Sequence, residues 1–544
     1  MRFFNTVGSI NPENHYFIPH RLDWEQLEDF IEKEYYFILH APRQSGKTTA
    51  IQEFGDHLNR QGTYKALYVS TEMAHTAVND IKKSALALLQ EIKGKIAQQF
   101  PGETATLEMV DTLSHGAISY ETLLNQFLTW WTDHSDKPLI LFFDEFDGLI
   151  GDSLISVLKQ LRSGYSTRPK HFPQTVCLIG VRDLRDYKVK TKTQEELGVL
   201  YSPFNIKASS ERLRDFTQEQ VRMLYLQHTE ETGQQFTPSA IDHAYHLTQG
   251  QPWLVNALAY QACFTDPATT LRSGVPDCSK TITKELIETA KEALIKRRET
   301  HLDALVSRLT EERVRNVIDA IINGAVSKPM DDDDIKYVED LGLIKRDFQN
   351  IWIANPIYQE ILPYVLSSKY QSAMSGQSVD YYNTDGSLNM RKLLCMFTEF
   401  FRENSECWIK ADKKNKKDAQ YTESGPHLIL FAFLQRVVNG VPRYTAQGAA
   451  LGMSGIQYEY ALGSKRVDIL VKIGQQRIVI ELKIWYGPQA LLEGLEQTAQ
   501  YMDKSDATEG HLVIFDRNAK KTWTQKIYQR QEQIGDKTIS VWGM

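Results

Sequence analysis

The chain has 544 residues, 42% hydrophobic and 24% charged, and a formal net charge of −7. At roughly 100–200 residues per domain this length predicts three or four domains, and the composition excludes disorder, collagen and coiled coil as the main architecture. No apolar run reaches the ~18–20 residues of a spanning helix. The first residues carry no apolar signal core, and five cysteines without a CxxC pair argue against a disulfide framework or a zinc site. The expectation is a cytoplasmic protein without membrane contact.

In residues 1–210, short apolar runs at Tyr35–His40, Tyr64–Val69, Leu139–Phe143 and Thr175–Val181 alternate with helical patterns. Strands separated by helices read as a parallel sheet with crossover helices. The first run leads into Ala41, Pro42, Arg43, Gln44, Ser45, Gly46, Lys47, Thr48 and Thr49. Small residues let backbone N–H groups turn inward around phosphates, a lysine reaches the β- and γ-phosphates, and a hydroxyl holds Mg²⁺ at a helix N-terminus. Lys47 and Thr48 take those side-chain roles. The buried run Leu139–Phe143 ends in Asp144 and Glu145, a ligand for Mg²⁺ and a carboxylate able to orient attacking water. ATP with Mg²⁺ is therefore the expected ligand.

Residues 211–298 are helical in pattern, with a capping-box-like Thr217-Gln-Glu-Gln220 opening one helix, and are read as a lid. Residues 299–366 give helices and then a strand pair, Leu343–Arg346 and Ile351–Ala354, a winged-helix-like layout. Its acidic run Asp331–Asp334 repels phosphate, which favours an inter-domain arm over a DNA reader. Residues 367–386 are polar and read as a linker, and 387–544 as a mixed α/β domain. Charge divides unevenly: residues 385–544 hold 22 basic and 18 acidic side chains, net +4, leaving −11 for the rest.

A second constellation lies in the C-terminal domain. Two strands, Arg466–Ile473 and Arg477–Leu482, joined by a tight turn carry Asp468, Glu481 and Lys483. Strand alternation puts Glu481 and Lys483 on one face, and two carboxylates with an ammonium suit Mg²⁺, or Mn²⁺, in phosphodiester hydrolysis. On the following helix, Leu491–Met502, Gln497 and Tyr501 share a face. Lys413–Lys417 reads equally as a backbone-tracking patch or a solvated loop, and Phe397, Phe400 and Phe401 as core.

The loop and Asp144-Glu145 resemble the AAA+ class and, within it, STAND-like ATPases. That resemblance implies a γ-phosphate sensor at Arg182, a lid turn at Gly250-Gln-Pro252 with Pro252 near the adenine, and a base-covering segment at Ile18 and Pro19. No clear trans-acting arginine stands out; Arg162 and Arg185 are the candidates, so the nucleotide is expected to act as a switch with slow turnover. The C-terminal Asp468…Glu481-Leu-Lys483 resembles the PD-(D/E)XK nucleases, a restriction-endonuclease-like α/β fold, and Gln497…Tyr501 resembles the QxxxY of RecB-like members. The resemblance adds Glu423 as a metal-supporting acid and gives Gln497 and Tyr501 an orienting role. The whole chain resembles bacterial AAA-like ATPases ending in such a domain. It implies an ATP-controlled, Mg²⁺-dependent nuclease acting on DNA rather than RNA, in DNA processing or defence, with ATP-dependent self-assembly. A nucleotide-switched scaffold that grips nucleic acid without cutting stays open beside it.

Overall fold

The computed structural model describes residues 1–75, 79–116, 119–181, 207–264, 276–297, 307–322, 331–347, 350–362, 383, 387–409, 430–431, 433–434, 455–462, 465–473, 475–516, 518 and 520–544. Two compact units emerge. The first comprises Met1–His301 with Ile335–Arg346, the second Leu302–Asp334 with Asp347–Met544.

In the first unit, β1 (Tyr36–His40), β2 (Lys65–Ser70), β3 (Leu139–Asp144), β4 (Thr175–Gly180) and β5 (Lys207–Arg212) form one parallel sheet in the order β2-β3-β4-β1-β5. Every residue of β3 and β4 is buried, as expected for strands covered on both faces. Alternation sorts their side chains between two cores. Ile38, Leu67, Leu141, Phe143 and Leu178 pack under the helices Ile81–Gln99, Leu123–His134 and Gly151–Gly164. Phe37, Leu39, Ile140, Phe142 and Ile179 face the helix Lys47–Gln61 and the first helix, Trp24–Glu32.

The predicted capping box is present. Thr217 Oγ1 accepts from Gln220 N at 3.2 Å, Gln220 Oε1 accepts from Thr217 N at 2.9 Å, and the helix runs Gln218–Thr232. The helices Pro238–Thr248, Pro252–Phe264 and Lys284–Arg297 follow. The N-terminal segment is tied to this helical layer: Tyr16 pairs with His228 at 3.2 Å, and Trp253 Nε1 donates to Thr6 O at 2.9 Å. The short strands β6 (Ile344–Arg346) and β7 (Ile351–Ile353) fall where the sequence placed them.

The second unit is built on a six-stranded sheet of β8 (Gly455–Leu462), β9 (Lys465–Ile473), β10 (Gln476–Ile484), β11 (Glu509–Phe515), β12 (Tyr528–Ile534) and β13 (Lys537–Gly543). Their order is β12-β13-β11-β10-β9-β8, with β10, β11 and β13 parallel and the hairpins antiparallel. The helix Pro488–Ser505 packs on the sheet through Leu495, Tyr501 and Met502 against Leu470, Val479 and Leu512. Phe397 and Phe401 of the helix Met390–Ile409 are buried, and Phe401 lies 5.3 Å from Phe515.

Candidate functional site

The loop after β1 curls onto itself. Lys47 opens its helix behind Gly46, and its Nζ donates to Ala41 O at 2.7 Å and Pro42 O at 2.9 Å. Burial lowers the Lys47 ammonium to about 8, against the upward pull of Asp144, Asp147 and Glu145. A cation held in a low-dielectric loop interacts strongly with a polyanion brought to it.

Asp144 ends β3 beside that loop and is 1% exposed. Its Oδ2 accepts from Thr48 Oγ1 at 2.6 Å and from Tyr68 hydroxyl at 2.9 Å, and its Oδ1 from Glu145 N at 2.8 Å. Thr48 and Asp144 thus meet where the sequence assigns both to Mg²⁺, and their oxygens suit that hard cation. Glu145 follows in the left-handed region, φ 56°. Burial and the neighbouring charges of Glu72 and Asp144 raise its carboxyl above the usual range.

Sequence reasoning passed over Arg21, two residues beyond the Pro19 it did single out. Arg21 Nη1 donates to Ser45 O in the loop, Nη2 donates to Arg214 O at 2.5 Å, and the guanidinium lies 4.5 Å over the Phe216 ring. Burial lowers Arg21 to about 10 despite Asp215 nearby. Phe216 N in turn donates to Gly250 O at 2.8 Å, fixing the turn that leads to Pro252. Gly250 has φ 78°, and a Cβ there would stand 1.9 Å from Phe216 O, so only glycine fits. The phosphate loop, Arg21 and the Gly250-Gln251-Pro252 turn are one connected assembly.

The segment Ile335–Arg346 joins the same assembly. Glu339 pairs with Arg212 at 3.1 Å and Arg346 at 2.8 Å, and Lys345 with Asp215 at 3.3 Å. Gly342 lies against Pro42, where a Cβ would stand 2.7 Å from Pro42 Cγ. Arg162 is exposed in the last turn of its helix. Arg182, Arg185, Glu423 and Lys413–Lys417 lie outside the described residues.

In the second unit the β9–β10 pairing ends at Ile480 and Ile469, and Glu481 and Asp468 are the next residues on the two strands. Asp468 Oδ2 accepts from Leu482 N at 2.8 Å, and Lys483 Nζ donates to Glu481 Oε1 at 2.9 Å. Glu481 Oε2 is buried with no hydrogen-bond partner. Burial raises the carboxyls of both Asp468 and Glu481, the latter to about 8 with the Asp468 charge contributing. Burial alone would lower Lys483, but the Glu481 carboxylate and then Asp468 carry it above its ordinary value.

The helix Pro488–Ser505 completes this cluster from above. Burial and the Glu481 and Asp468 charges push the Tyr501 hydroxyl up to about 12, and Gln497 Oε1 is buried without a partner. Room for Lys483 is made by Gly494, where a Cβ would stand 3.2 Å from Lys483 Cγ and 2.6 Å from Leu512 Cδ1. Asp468, Glu481, Lys483 and Tyr501 therefore lie together. Among the described residues no group of three or more His, Cys, Asp or Glu gathers to hold a metal. No described helix is long and apolar enough to cross a membrane.

Solved structures similar to this chain include the Walker-type ATPase PABY2304 of Pyrococcus abyssi, at 16% identity over 66% of this chain and 99% of that one, TM-score 0.46. Cdc6p from Pyrobaculum aerophilum matches at 14% identity over 66% and 97%, TM-score 0.34. The RuvB Holliday junction branch migration motor of Thermotoga maritima matches at 14% over 60% and 88%, TM-score 0.31. No curated protein matches the sequence. The family model of the AAA-like domain matches residues 6–363, a span that holds the phosphate loop, the Asp144-Glu145 strand end and the Gly250 turn. The chain belongs to the AAA-like domain family and carries a P-loop ATPase domain.

Proposed function

We propose that the protein is an ATP-controlled, Mg²⁺-dependent nuclease that hydrolyses phosphodiesters of DNA. Residues 1–210 form the ATPase core, 211–298 its lid, 299–366 a linking module, 367–386 a linker and 387–544 the nuclease domain. The observation that carries the reading is the neighbouring pair Asp468 and Glu481 with Lys483 hydrogen-bonded beside it. Two carboxylates brought together in low dielectric raise each other's pKa, an arrangement that a bound divalent cation relieves. The unpartnered Oε2 of Glu481 is a free acceptor at that position.

Asp468 and Glu481 would hold Mg²⁺, which supplies Lewis acidity toward the phosphate and lowers the pKa of bound water. Lys483 offsets charge on the phosphate oxygens as water adds to phosphorus and the ester bond breaks. Gln497 and Tyr501 orient Lys483 or the strand from the overlying helix. In the first unit, Lys47 and the loop bind the ATP phosphates, Thr48 and Asp144 hold Mg²⁺, and Glu145 aligns water. Pro252 lies by the adenine.

Control by ATP is supported by Ile335–Arg346. That segment contacts Pro42, Arg212 and Asp215, and the chain runs from both of its ends into the second unit. Purified protein incubated with linear DNA tests the proposal. Degradation in Mg²⁺ that stops with EDTA supports it. Absence of cleavage with binding retained, across metals and nucleotide states and for RNA as well, supports the scaffold reading instead.

A further inference from the structure

We propose that His75 is a positioning residue for ATP hydrolysis, holding Glu145 in the backbone conformation that aims its carboxylate; this rests on the reading of Glu145 as the water-aligning group. Glu145 is a side-chain-bearing residue with φ 56° and ψ 29°. The left-handed region costs an L-residue roughly 1–2 kcal/mol, so neighbouring contacts must hold it there.

Those contacts come from the loop after β2. Thr71 N and Thr71 Oγ1 both donate to Asp144 O, at 2.9 and 3.0 Å. His75 Nε2 lies 2.9 Å from Glu145 O and 3.2 Å from Thr71 Oγ1. A carbonyl only accepts, so the ring carries its proton on Nε2 and shares it between the two oxygens. Gly148 N also donates to Glu145 O, at 2.9 Å. The imidazole lies against Gly148, where a Cβ would stand 1.9 Å from the ring's Cε1. Farther along the loop, Asn79 Oδ1 accepts from Asp152 N at 3.1 Å. Among the described residues, the β2 loop thus holds the end of β3 and the segment after it through Thr71, His75 and Asn79, and of these three His75 is the one that reaches the carbonyl of Glu145.

The consequence is specific. The direction of the Glu145 side chain follows from its φ and ψ, which the His75 bond and the Gly148 turn fix. Loss of the His75 donor lets residue 145 relax toward right-handed conformations, displacing the carboxylate from the attacking water. The phosphate loop and Asp144 keep their own partners, so ATP binding is untouched. Misplacement by about 1 Å can cost on the order of a hundredfold in rate.

The test compares full-length wild type with His75→Gln and His75→Leu in steady-state ATP hydrolysis and ATP binding. Glutamine presents an N–H near the Nε2 position, whereas leucine keeps apolar bulk over Gly148 without a donor. The expected result is a fall in kcat of about tenfold to a hundredfold for His75→Leu with KM and Kd for ATP unchanged, and near-wild-type kcat for His75→Gln. Equal kcat for His75→Leu and wild type overturns the proposal alone. So does an equal fall in both variants, or a fall matched by a weakened Kd and a lowered melting temperature. Wild type that binds ATP and never hydrolyses it overturns the hydrolytic reading of Glu145, and the proposal with it.

Discussion

Asp468 and Glu481 stand side by side just beyond the last β9–β10 pair, Ile469 and Ile480, and Asp468 Oδ2 accepts the N–H of Leu482, the residue next to Glu481. This bond fixes the Asp468 side chain to the strand that carries Glu481 and Lys483. Cleavage should therefore depend on both acids together. Asp468→Asn and Glu481→Gln should each reduce Mg²⁺-dependent cleavage by at least about a hundredfold, since neither leaves a pair of carboxylates for the cation. Nucleotide binding by each variant, measured with a fluorescent ATP analogue, should match wild type.

The overlying helix sets a second expectation. Gly494 admits the Lys483 stem, and a methyl there meets Leu512 Cδ1 at 2.6 Å. Gly494→Ala should push the helix from the sheet and misplace Lys483, Gln497 and Tyr501 together. We expect about a tenfold or greater loss of cleavage and a lowered melting temperature, with ATP binding retained. Wild-type cleavage by Gly494→Ala would contradict the placement of Lys483.

In the ATPase unit, Lys47→Ala removes the ammonium that the loop encloses, and ATP binding should fall below detection in calorimetry. Glu145→Gln leaves Thr48, Asp144 and the loop in place. It should bind ATP as wild type does and lose hydrolysis. Equal ATP affinity for Lys47→Ala and wild type would show that the loop is not the phosphate site.

Gly250 links the loop assembly to the helices Pro238–Thr248 and Pro252–Phe264. Gly250→Ala forces a side chain into φ 78° and drives Cβ into Phe216 O, the neighbour whose N–H holds Gly250 O. It should cost about 2 kcal/mol or more. Thermal unfolding should show a lower midpoint, and ATP affinity should drop because Phe216 also carries Arg21 against the loop.

Much of this architecture is legible in the sequence because the central strands are continuous apolar runs. Leu139–Asp144 and Thr175–Gly180 are buried on both faces, so their composition announces them. Two of the edge strands do not. Lys207–Arg212 (KASSER) and Tyr528–Ile534 (YQRQEQI) each have a single neighbour, and polar residues serve there as well as apolar ones. The acid pair was readable because strand alternation and hairpin register are local properties. Arg21 and His75 were not, since each acts on backbone oxygens that only the folded chain brings near, Ser45 and Glu145 respectively.

Nucleotide state should govern the cut. The most direct measurement is the rate of DNA cleavage in Mg²⁺ by Glu145→Gln protein, with saturating ATP and without nucleotide, alongside Lys47→Ala under the same conditions. ATP should change the Glu145→Gln rate by about tenfold or more and leave Lys47→Ala unaffected, because only the former can hold the ligand that biases the two states. Equal cleavage rates for Glu145→Gln with and without ATP would contradict it.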